Sequence, residues 1–146
     1  MEKIRDTIVL LGHTGSGKSE LANTLADCPG LFLTSSNNDS CTSHTTYELC
    51  SWFGNGTELV IVDTPGYGDS SGRDDKHFLE MVKELKGNIK YLKAFVIVLN
   101  SEHPRLDSHL KEMLHYFQNT FKKQMWANTI VVYTRWVYDK KAELKR

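Results

Sequence analysis

No apolar run in this chain is long enough to cross a bilayer, and its start, Met1-Glu2-Lys3-Ile4-Arg5-Asp6, is too charged for a secretion signal. Neither sign of charge is in excess. Eighteen basic side chains face 18 acidic ones, the lysines and arginines are scattered without interleaved aromatics, and no nucleic-acid partner is implied. Cys28, Cys41 and Cys50 are odd in number and lack metal-ligand spacing, so they read as reduced thiols of a cytoplasmic protein rather than a disulfide framework. The six histidines are equally dispersed and do not suggest a metal site. Repeats and domain linkers are absent too. The 146 residues are expected to form one domain with a substantial core.

What is present is concentrated in one run, Gly12-His13-Thr14-Gly15-Ser16-Gly17-Lys18-Ser19, which fits the phosphate-binding pattern G-x-x-x-x-G-K-[ST]. It follows the apolar stretch Thr7-Ile8-Val9-Leu10-Leu11 and precedes a helical segment, the strand–loop–helix context that this chemistry needs. A polyphosphate packs several negative charges into a small volume. Backbone N–H groups of a curled loop, a helix N-terminus and one ammonium group together answer that charge. Gly12, Gly15 and Gly17 permit the curl, Lys18 reaches the β- and γ-phosphates, and the Ser19 hydroxyl is placed to ligate Mg²⁺. The phosphate-side set is His13, Thr14, Gly15, Ser16, Gly17, Lys18, Ser19 and Glu20.

A second apolar strand, Val60-Ile61-Val62, ends in Asp63-Thr64-Pro65-Gly66. Asp63 is placed to hold a magnesium-bound water, and Gly66, lacking a side chain, to approach a γ-phosphate and sense its loss. The glycine-rich, polar segment 66–75 that follows has the composition of a mobile loop. Ras-type enzymes carry a glutamine after this glycine to orient the attacking water. Here the residue is Tyr67, whose ring cannot do so, and slow intrinsic hydrolysis is expected.

Hydrophobic patterning predicts strands over 7–12, 47–53, 58–63, 94–99 and 129–133, with helices over about 18–26, 75–90 and 106–123 and a charged helical segment after 139. Residues 27–45, polar and without period, occupy the place of a first switch loop. Asn55-Gly56 predicts a tight hairpin, making the second strand antiparallel. The expected fold class is therefore α/β: a Ras-like phosphate-loop domain whose mostly parallel sheet has an antiparallel second strand.

With both motifs and the hairpin in place, the chain resembles GTPases of the immunity-associated (GIMAP) family, which group with septins and the chloroplast-import receptor GTPases. The resemblance covers about residues 5–138. It is carried by Gly12 through Ser19 with Ala22-Asn23-Thr24, by Asp63-Thr64-Pro65-Gly66-Tyr67-Gly68-Asp69, by Pro104-Arg105-Leu106 and by Tyr133-Thr134-Arg135. It implies GTP or GDP with Mg²⁺ as cofactors and a homodimer formed through the nucleotide face. It also implies that Thr45, with Thr46 as the alternative, closes the first switch over Mg²⁺ beside Ser19 and Asp63. Arg105 would match an arginine that crosses the dimer interface to the partner's nucleotide; it also begins a helix and could simply be solvated.

Two departures from the family pattern stand out. The guanine-reading motif Asn/Thr-Lys-x-Asp is altered to Thr134-Arg135-Trp136-Val137-Tyr138-Asp139, its acid two positions late. Asp139 could reach the base, Arg135 or Trp136 could stack on it, or none could. The chain also ends before the sixth strand and closing helix of a Ras-like domain, so it reads either as C-terminally incomplete or as open on the purine side. Three functions follow: a GTP switch with slow, dimerisation-stimulated hydrolysis, a septin-like assembly scaffold with structural nucleotide, or an ATPase or non-binding variant.

Overall fold

The computed structural model describes residues 3–34, 44–67, 75–104 and 106–136, the side chains of Asp75 and His77 excepted. Five strands form one sheet: β1 (Asp6–Gly12), β2 (Thr46–Ser51), β3 (Glu58–Asp63), β4 (Leu92–Asn100) and β5 (Thr129–Thr134). Their order is β2-β3-β1-β4-β5, with every pairing parallel except β2 with β3. The helices are α1 (Lys18–Leu25), α2 (Asp75–Asn88), α3 (Ser108–Phe121) and the short α4 (Lys123–Ala127).

Because side chains alternate along a strand, β1 and β4 feed two cores. Val9 and Leu11 of β1, with Phe95, Ile97 and Leu99 of β4, face α2, α3 and α4 and pack against Val82, Leu85, Met113, Phe117 and Met125. Ile8 and Leu10, with Ala94, Val96 and Val98, face α1 and meet Ala22, Ala26 and Phe32. Both faces of the central strands are covered, which is why they read as unbroken apolar runs. Asn23 of α1 clamps the returning chain: its side chain accepts from the Phe32 N–H at 2.7 Å and donates to the Phe32 carbonyl at 2.9 Å.

Three expectations need correction. Strand β2 stops at Ser51 rather than 53, because Trp52–Gly54 turns as a 3-10 segment with Phe53 at φ 46°. The connection to β3 is accordingly wider than a two-residue hairpin. The Trp52 N–H reaches the Thr57 carbonyl at 2.9 Å, and Asn55 has φ −84° where a primed turn needs a positive value. Finally, the helix expected over 106–123 starts at Ser108, where the Asp107 carboxylate accepts from the Leu110 N–H, and breaks at Lys122 (φ 52°) into α3 and α4. The antiparallel placement of β2 stands, since it depends on the reversal of direction and not on the turn type.

Candidate nucleotide site

The parallel strands β1, β3, β4 and β5 end on one edge of the sheet, where α/β sheets bind their ligands. Gly12 closes β1, Asp63 closes β3, Asn100 closes β4 and Thr134 closes β5. The phosphate loop leaves β1 and turns into α1 at Gly17, whose φ of 90° is left-handed and whose N-cap position has no side chain to block it. A Cβ on Gly17 would also meet the Thr134 side chain at 3.2 Å, so β5 packs directly on the loop. Thr134 holds that contact by donating its hydroxyl to the Ser16 carbonyl at 2.6 Å.

Lys18 is buried and folded along the inside of the loop. Its ammonium donates to the Gly12 carbonyl at 3.0 Å and the His13 carbonyl at 3.1 Å, which holds it at the centre of the curl. One residue on, the Ser19 hydroxyl donates to Asp63 Oδ2 at 2.5 Å, joining the start of α1 to the end of β3. Asp63 is 1% exposed. A hydroxyl and a carboxylate in contact are the hard oxygen donors that Mg²⁺ prefers, with phosphate and water filling its other positions. Among the described residues no cluster of three or more His, Cys, Asp or Glu side chains could hold a metal by itself. The Ser16 hydroxyl is buried and has no hydrogen-bond partner among the described residues, a donor already stationed in the loop. These groups fit a magnesium–polyphosphate, for which Mg²⁺ would supply charge neutralisation.

The β2–β3 register pairs Thr46 with Asp63, so Thr45 and Thr46 arrive at the Asp63 end of the sheet. Gly66 lies against the loop: a Cβ placed on it would stand 2.6 Å from both the Thr14 nitrogen and its Cα. Tyr67 continues this seam. Its N–H donates to the Gly12 carbonyl at 3.3 Å, and its own carbonyl accepts from the Thr14 N–H at 3.4 Å. The Tyr67 side chain is 8% exposed, and burial followed by the nearby Asp107 charge pushes its phenol well above the usual range. That ring is packed into the protein and leaves no amide at the position where a water-orienting glutamine would stand.

The His13 side chain is also turned inward. It meets the Tyr67 carbonyl and Asp107 at the head of α3, while its backbone carbonyl receives Lys18. Asp107 feels burial raising its carboxyl, but the Leu110 N–H and the His13 ring more than reverse this, holding it below the ordinary carboxylate range. A polar cleft of about 160 Å³ opens beside Thr14 and Gly15 between Asn100, His103 and Arg135, room for a fraction of a nucleotide. Arg135 sits there with φ 53°, its carbonyl accepting from the Ser101 hydroxyl at 2.6 Å. Glu20 lies in the first turn of α1, on its exposed face. Arg105 and Asp139 lie outside the described residues, so the dimer-crossing and base-reading expectations attached to them are not placed.

Residues 13–19, 63 and 66 thus converge on one edge, with Thr45 beside them. Sequence reasoning missed Asn100, His103, Thr134 as a brace, and the Tyr67–His13–Asp107 contact. The first three could have been found by asking what stands at the carboxyl ends of the parallel strands.

Comparison with known proteins agrees with this geometry. GTP-binding protein A of Dictyostelium discoideum is 32% identical over 130 residues, 87% of this chain but 27% of that protein. Toc33 of Arabidopsis thaliana, in a structure with GDP and Mg²⁺, is 21% identical with a TM-score of 0.71, covering 97% of this chain and 57% of that one. A further chloroplast translocon structure matches at 22% identity and a TM-score of 0.74 over 97% of this chain and 56% of its own; dimerization is described there as important for the GTPase activity of atToc33 and psToc159. At such identities the structural likeness bears on the fold. The chain spans between about a quarter and three fifths of the length of these three proteins. Its sequence matches the AIG1 family over residues 6–145, nearly its whole length, and the chain belongs to that family.

Proposed function

We propose that this chain is a guanine-nucleotide-binding switch that hydrolyses GTP slowly and is stimulated by pairing with a second copy across the nucleotide face. The observation that carries the reading is the Ser19–Asp63 contact, which sets a magnesium-ligand pair at the mouth of a phosphate loop centred on Lys18. Guanine is favoured by the AIG1 membership and by the GTP-binding relative, and pairing by the dimerisation-dependent GTPase activity described for the chloroplast neighbours. Thr45 closes over the metal beside Asp63, and Arg105 reaches the partner's nucleotide. Arg135, Trp136 or Asp139 forms the base side.

The test is turnover per molecule measured against protein concentration. A rate that rises with concentration and collapses in Arg105→Ala supports the paired enzyme; flat, negligible turnover sinks it. The burial of Tyr67 favours one alternative, an assembly scaffold in which bound nucleotide is structural and hardly turns over. Competition against labelled GTP separates the base choice, since displacement by ATP as strong as by GDP would make the protein an ATPase-type binder.

A further inference from the structure

Large apolar side chains left in solvent are concentrated in one stretch of this chain. Of the eleven among the described residues, five fall between positions 126 and 136: Trp126, Ile130, Val131, Tyr133 and Trp136. Single exposed apolar residues are ordinary, but a contiguous group of them marks an interaction surface. At its centre is β5, which pairs with β4 and ends the strand order on that side. Its six residues, Thr-Ile-Val-Val-Tyr-Thr, include neither a charge nor a proline, the devices by which exposed edges avoid pairing. The strand at the opposite edge, β2, does carry a charge, Glu48.

The ladder with β4 fixes which backbone groups of β5 face outward. The Asn128 carbonyl accepts from the Phe95 N–H at 2.8 Å, and the Thr134 carbonyl from the Ser101 N–H at 3.0 Å. Alternate residues of a parallel strand bond to the same neighbour, so 128, 130, 132 and 134 serve β4. Thr129, Val131 and Tyr133 therefore direct their N–H and carbonyl groups away from the sheet. The same alternation divides the side chains. Ile130 and Val132 pair with Val96 and Val98 on the α1 face, and Thr129, Val131 and Tyr133 pair with Phe95, Ile97 and Leu99 on the face of α2, α3 and α4.

We propose that β5 is a self-association surface, on which a second copy of this chain lays its own β5 antiparallel, about a two-fold axis at Val131. Residues opposed in an antiparallel pair share a face of the sheet, and the bonded pairs must both present outward backbone groups. An axis at Val131 meets both conditions. Val131 then opposes its counterpart, Thr129 opposes Tyr133 of the second copy, and all of these have outward groups. Ile130 opposes Val132 between them, on the α1 face. These are the β-branched and aromatic pairs that stabilise sheets, and no charge meets its like. An axis at Val132 would instead oppose groups that β4 already uses. Trp136, its ring 6.0 Å from that of Tyr133, extends the apolar area past the strand end. This edge is lateral, whereas the phosphate loop stands at the carboxyl ends of the strands, so the surface is distinct from the nucleotide face and does not rest on the nucleotide reading.

Analytical ultracentrifugation of the 146-residue chain tests it, with GDP and Mg²⁺ and without. The wild type is expected to be a dimer at about 100 μM in both conditions and to dissociate on dilution. Val131→Lys sets two like charges on the axis, and Val131→Pro removes an outward N–H without touching the bonds to β4. Each is expected to weaken the dimer by at least about tenfold while melting curves show it folded. Arg105→Ala, which bears on pairing across the nucleotide face, is expected to leave this dimer unchanged. A wild type that stays monomeric overturns the proposal, as does a folded Val131→Lys protein that pairs as the wild type does. Loss of the dimer in Arg105→Ala alone would assign the pairing to the nucleotide face and overturn it too. Hydrogen exchange read by NMR gives the register. The Thr129, Val131 and Tyr133 amides are expected to slow as wild-type concentration rises, and those of Thr129 and Tyr133 to stay fast in Val131→Lys. Slow exchange at these amides in a monomer would mean that the chain covers its own edge, against the proposal.

Discussion

Gly66 and Thr14 touch backbone to backbone: any side chain on Gly66 would begin 2.3 Å from the Thr14 hydroxyl oxygen and 2.6 Å from its nitrogen. Backbone atoms cannot yield as a flexible side chain can. Gly66→Ala must therefore push the segment after β3 away from the phosphate loop. Thermal unfolding is expected to show a loss of about 1–3 kcal/mol, the usual cost of overpacking. Competition binding is expected to show weakened GTP-analogue affinity with GDP affinity nearly kept. Equal losses for the two nucleotides would mean that Gly66 does not sense the third phosphate.

Lys18 is buried against the Gly12 and His13 carbonyls and brings a full positive charge inside the loop's curl. Lys18→Ala is expected to reduce nucleotide affinity at least a hundredfold, since two or more charge-assisted hydrogen bonds of about 1.5–3 kcal/mol each are lost. Isothermal titration with GDP and Mg²⁺ measures this. Unchanged affinity would remove the phosphate-loop assignment.

The Ser19–Asp63 pair makes a prediction about metal. Wild-type nucleotide release is expected to quicken when EDTA is added, because on the proposed reading this pair contributes to holding Mg²⁺. In Asp63→Ala, release should already be fast and EDTA should change it little. An Asp63→Ala protein that still responds to EDTA as the wild type does would place the metal elsewhere.

Asp107 links stability to acid. Its carboxyl is held below the ordinary range in the folded protein, so the unfolded chain binds more protons as the solution is acidified. The stabilisation is fully present above the unfolded carboxylate value and is lost as pH falls through the lower folded one. The melting-temperature gap between wild type and Asp107→Asn is expected to hold steady from about pH 7 to about pH 5 and to shrink below about pH 4. A gap that widens in acid would contradict the assignment.

Phe117 tests the core beneath the site. It is fully buried, meets the Phe95 ring edge-on at 5.3 Å and stacks with Phe121 at 5.9 Å. Phe117→Ala is expected to cost about 3–5 kcal/mol of stability in denaturant unfolding. Lys18 and Ser19 are carried by α1 on the opposite face of the sheet, so nucleotide affinity of the folded fraction should change little.

The elements legible in the sequence were those with a strong period or a fixed motif. Residues 8–11, 59–62 and 94–99 are apolar without a break because both faces of the sheet are covered, and that pattern does not depend on neighbours. The boundaries that moved fall at residues with positive φ. Phe53 takes a left-handed turn on which the Trp52 ring packs at 4.7 Å, and Lys122 breaks a helix whose apolar spacing continues through Met125. Neither residue type announces such a turn.

The sequence by itself determined the grip on phosphate. Gly12, Gly15, Gly17, Lys18 and Ser19 are contiguous, and their chemistry depends on local backbone geometry that the spacing dictates. It also determined the direction of β2. Only the tertiary structure decided what presses on that loop. His13, Tyr67 and Asp107 are separated by 54 and 40 positions and share no motif, yet the pairing of β1 with its neighbours and the packing of α3 bring them within hydrogen-bond reach. The hydrogen bonds open to the His13 ring depend on which groups surround it, and its two partners come from two stretches of chain remote from the loop. Local sequence therefore names the candidate phosphate ligands, while the fold sets which distant groups one of the loop's own residues meets.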